Sequence, residues 1–251
     1  MAFLIIAISL DGRSSQVDDW KTIFVSDWRS GIDPRLSIQA PNEKSIEIEG
    51  SYPSSNSMLR FYLRRTDDFS RVANGSPRAE ISFKRIFSIE RNKDYQISWS
   101  IFFPGNFKFD RDQPEIFMQI HQGSNSGSPP IAILLDGQRY VMELRDSDKA
   151  VAQRFDLGNA SNDLGSRVHW ELRYRADHAG DRALTDLYKD GELVARCLRP
   201  CANAYLDDDN AYLKLGIYKW RWTDAPSDVT ERTVFFGPVR VRERSANPKY
   251  D

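Results

Sequence analysis

The chain has 251 residues, 40% hydrophobic and 12% aromatic, which is enough apolar material for one large sandwich core. Its 35 basic and 36 acidic residues leave a formal charge of −1. No global field therefore draws it to nucleic acid or an anionic membrane, neither is expected as a partner, and any polyanion has to be met by a local patch.

The opening "MAFLIIAISLDG" is apolar but too short to span a bilayer. It lacks the basic leader and small-residue cleavage site of a signal peptide, and it reads as a first strand ending at Asp11-Gly12, with the remnant of a trimmed signal sequence as the alternative. Period-two strands follow at 45–50, 58–65, 79–89, 94–103 and 115–122. Residues 131–144 form a hairpin about Asp136-Gly137, and 185–198 a second about Asp190-Gly191. Between them, "RVHWELRYRA" (167–176) places Val168, Trp170, Leu172 and Tyr174 on one face and His169, Glu171, Arg173 and Arg175 on the other. "YLKLGIYKW" (212–220) and "RTVFFGPVRVRER" (232–244) close the series. The loops carry "SYPSSNS", "NGSPR", "GSNSGSPP" and "DAPSD". With no sustained 3.6-residue period, no repeat and no linker, the expectation is an all-β chain. It is read as a single domain over 1–251, an antiparallel β-sandwich of jelly-roll, concanavalin A-like form.

Three strands share an unusual feature, charged or hydrogen-bonding groups two residues apart on one face. They are Arg78, Glu80 and Ser82 in "RAEIS", Gln119 and His121 in "QIH", and Tyr212, Lys214 and Tyr218 in "YLKLGIY". Each alone is ordinary, because an Arg-x-Glu pair on a strand is usually a solvated ion pair and Tyr or Lys often lies flat with its tip in water. Together they suit β-elimination next to a carboxylate. A uronic acid carries a weakly acidic proton on C5; donors such as Arg78 and Gln119 have to neutralise the neighbouring carboxylate before that proton can leave. His121 and Tyr218 supply a base for C5 and an acid for the departing O4, with Lys214 expected to favour the tyrosinate. Gly216 would leave room for a sugar ring. Lys219, Trp220, Arg221 and Trp222 would add cations and stacking faces, with at least one tryptophan in packing.

The same motifs resemble the signature strands of jelly-roll polysaccharide lyases. Alginate lyases of that fold show an Arg-x-Glu strand, a Gln-Ile/Val-His strand and a Tyr-Phe-Lys-Ala-Gly-x-Tyr strand, and glucuronan and heparin lyases are similar. The motifs keep their order from residue 78 to 218. The resemblance implies catalytic roles for Tyr218, His121, Arg78 and Gln119. Lys214, Glu80, Tyr212, Lys219, Trp220 and Arg221 are expected to bind substrate, with Glu80 orienting its neighbours. "AEIS" in place of "SELR" removes a second arginine, and "YKW" stands in place of "YNQ"; both lean toward the heparin- or glucuronan-lyase branch.

The expected substrate is an anionic polysaccharide outside the cytoplasm, so a periplasmic or secreted monomer is expected. Cys197 and Cys201 in "CLRPC" do not complete a metal site and are either free thiols or, after export, a short disulfide. No cofactor is required for elimination. A structural Ca²⁺ is possible at "LDDDN" (206–210), but the run lacks EF-hand spacing and reads as a solvated loop. His169 and His178 read as surface residues. No paired-carboxylate hydrolase strand, nucleophile elbow or phosphate loop is present. The alternative to a lyase is a non-catalytic carbohydrate-binding sandwich, which needs donors and aromatics but not an acid and a base.

Overall fold

The computed structural model describes residues 19–50, 57–123, 127–147 and 150–246, so the strand expected at the start of the chain lies outside the described residues. The strands are β1 (Lys21–Ser26), β2 (Ser37–Gln39), β3 (Ile46–Glu49), β4 (Met58–Arg64), β5 (Arg78–Ser82), β6 (Lys93–Phe102), β7 (Glu115–His121) and β8 (Ile131–Asp136). They continue with β9 (Arg139–Leu144), β10 (Gln153–Asn159), β11 (Arg167–Arg175), β12 (Leu184–Lys189), β13 (Glu192–Arg196), β14 (Tyr212–Tyr218) and β15 (Glu231–Ser245).

Two antiparallel sheets stack face to face. One runs β13-β12-β11-β6-β15-β4-β3, with β1 also on β15; the other runs β10-β9-β8-β7-β14-β5-β2. This is the expected jelly-roll sandwich. Alternation gives each sheet one apolar face, and the two apolar faces meet in a single core. Tyr95, Ile97, Leu172 and Tyr174 enter it from the first sheet, and Ile81, Ile120, Met142, Leu213, Leu215 and Ile217 from the second, all with no exposure. Each such aliphatic side chain contributes about 1.5–3 kcal/mol of burial. Trp99 and Trp170 stack in this core, centroids 6.4 Å apart.

Both Asp-Gly hairpins form, as β8–β9 and β12–β13. Strand β5 stops at Ser82, earlier than the apolar run to 89 suggests. Phe83 there starts a turn, its carbonyl accepting from the amides of Ile86 and Phe87. Strands β1, β2 and β10 were not apparent in the sequence; β2 has three residues, and "QRFDLGN" of β10 has no apolar alternation and lies at a sheet edge. Cys197 and Cys201 are disulfide-bonded, Cα atoms 5.8 Å apart. No helix among the described residues is long and apolar enough to cross a membrane.

Candidate active site

The outward face of the second sheet carries all three motifs. Register puts Tyr218 opposite Arg78, Gly216 opposite Glu80 and Lys214 opposite Ser82 on β5. On the other side of β14, Lys214 faces Gln119 and Tyr212 faces His121. The three strands thus bring one polar set together. Above them lies a groove of about 730 Å³ that crosses the strands, from Arg78 and Tyr218 over Gln119 and His121 to Leu134 and Glu143.

Glu80 is the hub. Its carboxylate, 2% exposed, accepts from Lys214 Nζ at 2.5 Å, from Gln119 Nε2 at 2.5 Å and from Arg78 Nη1 at 3.3 Å. Two cations around one carboxylate leave the buried cluster with a net positive charge. Arg78 Nε and Gln119 Oε1 are buried without a partner. Burial lowers the Lys214 amine below its ordinary value, Glu80 opposing and Arg78 adding to the effect.

His121 is half-buried and stacks on Tyr212, centroids 5.1 Å apart. Its Nδ1 lies 2.7 Å from the carbonyl oxygen of Gln122. A carbonyl only accepts, so the proton of the neutral ring is assigned to Nδ1, which leaves Nε2 as the basic atom. Burial lowers the His121 pKa from 6.5, the Gln122 carbonyl opposing. Tyr212 is itself buried behind His121, with its phenol pKa raised by burial and by Glu80; it supports the histidine and does not line the groove. Lys214 and Glu80 likewise lie under the groove floor, where they hold the donors that line it.

At the opposite wall Tyr218 is half-buried beside Trp220, centroids 5.7 Å apart. The cation against Tyr218 is Arg78, its Cζ 3.9 Å from the ring centroid, and not Lys214, which is committed to Glu80. Both aromatic rings pack on an apolar patch of Ile116, Ala132, Leu134 and Val141. A β-bulge in β7 between Ile116 and Met118 turns Ile116 to this face and leaves Phe117 and Met118 in the core.

Several expectations are corrected. Gly216 has φ +143°, and a Cβ there would meet Ala79 O at 2.2 Å and Glu80 Cα at 2.7 Å. The glycine admits the neighbouring strand, not a sugar. Lys219 is not a groove residue: the strand ends at Tyr218, the next amide bonds Pro77 O, and the Lys219 ammonium, wholly buried, pairs with Asp110 at 2.6 Å. Arg221 is exposed in the following turn, outside the groove lining. Trp222 is the packing tryptophan, with no exposure. In the acidic run, Asp208 accepts from the Gly123 amide and Asp209 pairs with Arg91. The one close acidic group among the described residues is Asp110, Asp112 and Asp228, where Lys219 already neutralises Asp110 and Arg111 pairs with Asp228.

The polysaccharide lyase family model matches residues 19–240. The chain belongs to that family. It is therefore a polysaccharide lyase, the enzyme and not the non-catalytic module of the two expectations. No curated protein sequence matches it. Among solved structures, the lyase is similar to an endo-β-1,4-glucuronan lyase from the fungus Trichoderma reesei, at 15% identity and TM-score 0.63, over 88% of this chain and 95% of that one. It is also similar to an alginate lyase from Pseudomonas aeruginosa, at 16% identity and TM-score 0.55, over 82% and 96%. A family 16 endo-glucanase from Bacteroides ovatus matches too, at 12% identity and TM-score 0.54, over 87% and 99%. At such identities the likeness carries the fold alone.

The lyase groove also holds residues that the motifs did not flag. Glu143 on β9 is 8% exposed. Its Oε2 accepts from Arg145 Nη2 at 2.6 Å, and its Oε1 from Arg154 Nη1 at 2.7 Å. Glu143 and Arg145 line the groove two strands from Gln119. The sequence signal was the charge alternation of "MELR", which is also what a solvated strand face looks like.

Proposed function

We propose that this lyase cleaves a uronate-containing polysaccharide by β-elimination in the groove over β5, β14 and β7. The observation that carries the reading is the net positive charge buried around Glu80, with Arg78 and Gln119 at the groove surface. Burying cations without a full complement of carboxylates is costly unless a ligand supplies the missing anion. A substrate carboxylate on Arg78 and Gln119 supplies it. Gln119 keeps one amide hydrogen after bonding Glu80, and Arg78 keeps Nε. Those donors neutralise the carboxylate as charge spreads into it from C5. Glu80 and Lys214 act through these two side chains, holding them in place.

The acid and base stand on opposite walls. His121 offers a neutral Nε2 at neutral pH, which suits it to take the C5 proton. Tyr218, against the Arg78 guanidinium, gives its phenolic proton to O4 as the C4–O4 bond breaks; the C5 electron pair becomes the C4=C5 double bond. For a sugar whose C5 proton and O4 lie on the same face, Tyr218 performs both transfers and His121 assists. Trp220 offers a stacking face for an adjoining sugar. The Cys197–Cys201 disulfide supports a periplasmic or secreted site of action. The lyase is proposed to work as a monomer and without a cofactor.

The test is a screen of purified protein against polyglucuronate, alginate, heparin, hyaluronan and pectate, read by ultraviolet absorbance. Elimination conjugates the new double bond to the carboxylate, so absorbance rises with cleavage. Reducing ends appearing without that rise would overturn the elimination reading.

A further inference from the structure

The two ends of the groove repeat one arrangement. At one end a buried carboxylate, Glu80, is held between Arg78 and Lys214. At the other, Glu143 is held between Arg145 and Arg154, each on a different carboxylate oxygen. Among the described residues the further carboxylate on this second set is Asp136, which pairs with Arg154 at the solvent side, both side chains about half exposed and screened by water and salt. Counted together the second set holds two guanidiniums and two carboxylates, and the part that faces the groove is the Arg145–Glu143 pair. Arg145 donates to Glu143 from Nη2 and to the Pro129 carbonyl from Nη1 at 3.4 Å, and its side chain, 12% exposed, lines the groove with Nε still to offer.

The sheet fixes the spacing of Gln119 from Glu143, whose carboxylate holds the Arg145 guanidinium at 2.6 Å. Gln119 lies opposite Ala132, and Ala132 opposite Glu143, so Gln119 and Glu143 sit in one row across β7, β8 and β9. Two strand spacings are about 10 Å, close to the rise of two sugars in an extended 1,4-linked chain. Such chains turn over at each sugar, so the side groups of alternate residues point the same way. The apolar patch between the rows, Leu134 with Ala132, has no donor for the sugar in the middle.

We propose that Arg145 binds the carboxylate of the uronate two residues from the one held by Arg78 and Gln119. This deepens the uronan-lyase reading and rests on it. Arg145 would be a specificity residue, making the lyase read alternate carboxylates along a polymer, and Arg154 and Glu143 would hold its guanidinium in place. Arg145 takes no part in proton transfer.

The experiment uses oligomers, two to six residues long, of the polymer cleaved fastest in the screen, titrated calorimetrically into the Tyr218→Phe protein with and without Arg145→Met. Methionine keeps the stem and removes the guanidinium. The expected result is about a 10-fold loss of affinity for the longer oligomers and none for the dimer, the scale of one charge-assisted hydrogen bond. With Tyr218 intact, Arg145→Met should raise KM on polymer by a similar factor with kcat held within about twofold. Arg145→Lys, which keeps the charge, should recover part of the affinity, and it serves as the second variant if the methionine protein melts early. Equal affinity losses at every length, or none at any, would overturn the proposal. The uronan reading fails by a different sign, an absence of absorbance change with every polymer in the unmutated protein, whereas the length series reads binding alone.

Discussion

Strand β14 carries one buried lysine, Lys214, and the turn after it carries another, Lys219. Both are fully enclosed and both touch a carboxylate within 2.6 Å. Lys214 shares its carboxylate with Arg78 and Gln119 at the edge of a groove. Among the described residues Lys219 is the one cation bonded to Asp110, alongside the Ser227 hydroxyl and the Asp112 amide. One cluster is left positive beside a groove; in the other a single buried cation meets a single buried carboxylate. Burial of a charge is thus not by itself a mark of function, and what separates the two is the charge left over and whether a cavity reaches it.

The largest expected effect separates them by stability. Lys219→Met leaves Asp110 buried without its cation, and should cost about 3–5 kcal/mol, lowering Tm by roughly 10 °C in a chain of this size. Turnover at a temperature well below Tm should be unchanged. Lys214→Met should instead lose most of its turnover, because Glu80 is then free to pull on Arg78. If calorimetry and kinetics show the reverse pattern, the assignment of the two lysines is wrong.

Next in size is Tyr218→Phe, which keeps the ring between Arg78 and Trp220 and removes the hydroxyl. Turnover should fall by about 100-fold or more, with Kd for substrate and Tm nearly unchanged. Near-full turnover would mean that this wall of the groove binds sugar without moving a proton.

Gly216→Ala forces a methyl group toward the Ala79 carbonyl at a positive φ. The expected loss is about 1–3 kcal/mol by denaturant unfolding, together with reduced activity from the displaced β5. An unaffected protein would show that the strands have room to part.

The pH dependence is subtler. Burial lowers the His121 pKa, so the ring stays neutral to a lower pH than a free imidazole, and the acid limb of kcat/KM should fall at a pH under 6.5. The unfolded chain takes up that proton first, so His121 makes stability decline as pH drops from about 6.5 until the folded-state value is passed. Asp110 behaves differently: burial pushes its pKa up, but Lys219, Ser227 and the Asp112 amide together pull it down to about 2. Its contribution is full above 3.8 and disappears only as pH falls through about 2. A His121→Gln protein should lose the first decline and keep the second, which a melting series in buffers of different pH would read.

The sandwich was legible because strands such as β11 and β14 alternate without interruption, and alternation is a local property. The polar set was legible for the same reason: residues two apart on a strand share a face wherever the strand is paired. What was hidden depends on pairing between distant segments. The turn that sends Lys219 inward toward Asp110, the approach of β5 that makes Gly216 obligatory, and the bulge that puts Ile116 and not Phe117 in the groove leave no local trace. Arg145 and Glu143 were missed because a strand face rich in charges looks the same over a groove as over open water.

The opposition of Leu213, Leu215 and Ile217 in the core to Lys214 and Tyr218 on the groove side of the sheet has a consequence for how this lyase can change. Membership of one face or the other is a matter of odd and even position along a strand. Substitutions adjust the groove one side chain at a time, whereas deleting a single residue within β14 would exchange the two sets beyond that point, sending phenol and amine into the core and leucine to the substrate. Sequence drift in the three signature strands is therefore confined to replacements, and variation in chain length has to accumulate in the loops at their ends. New polymer preferences in this scaffold are expected to arise there, and at positions such as Arg145, while the spacing from Arg78 to Glu80, from Gln119 to His121 and from Lys214 to Tyr218 stays fixed.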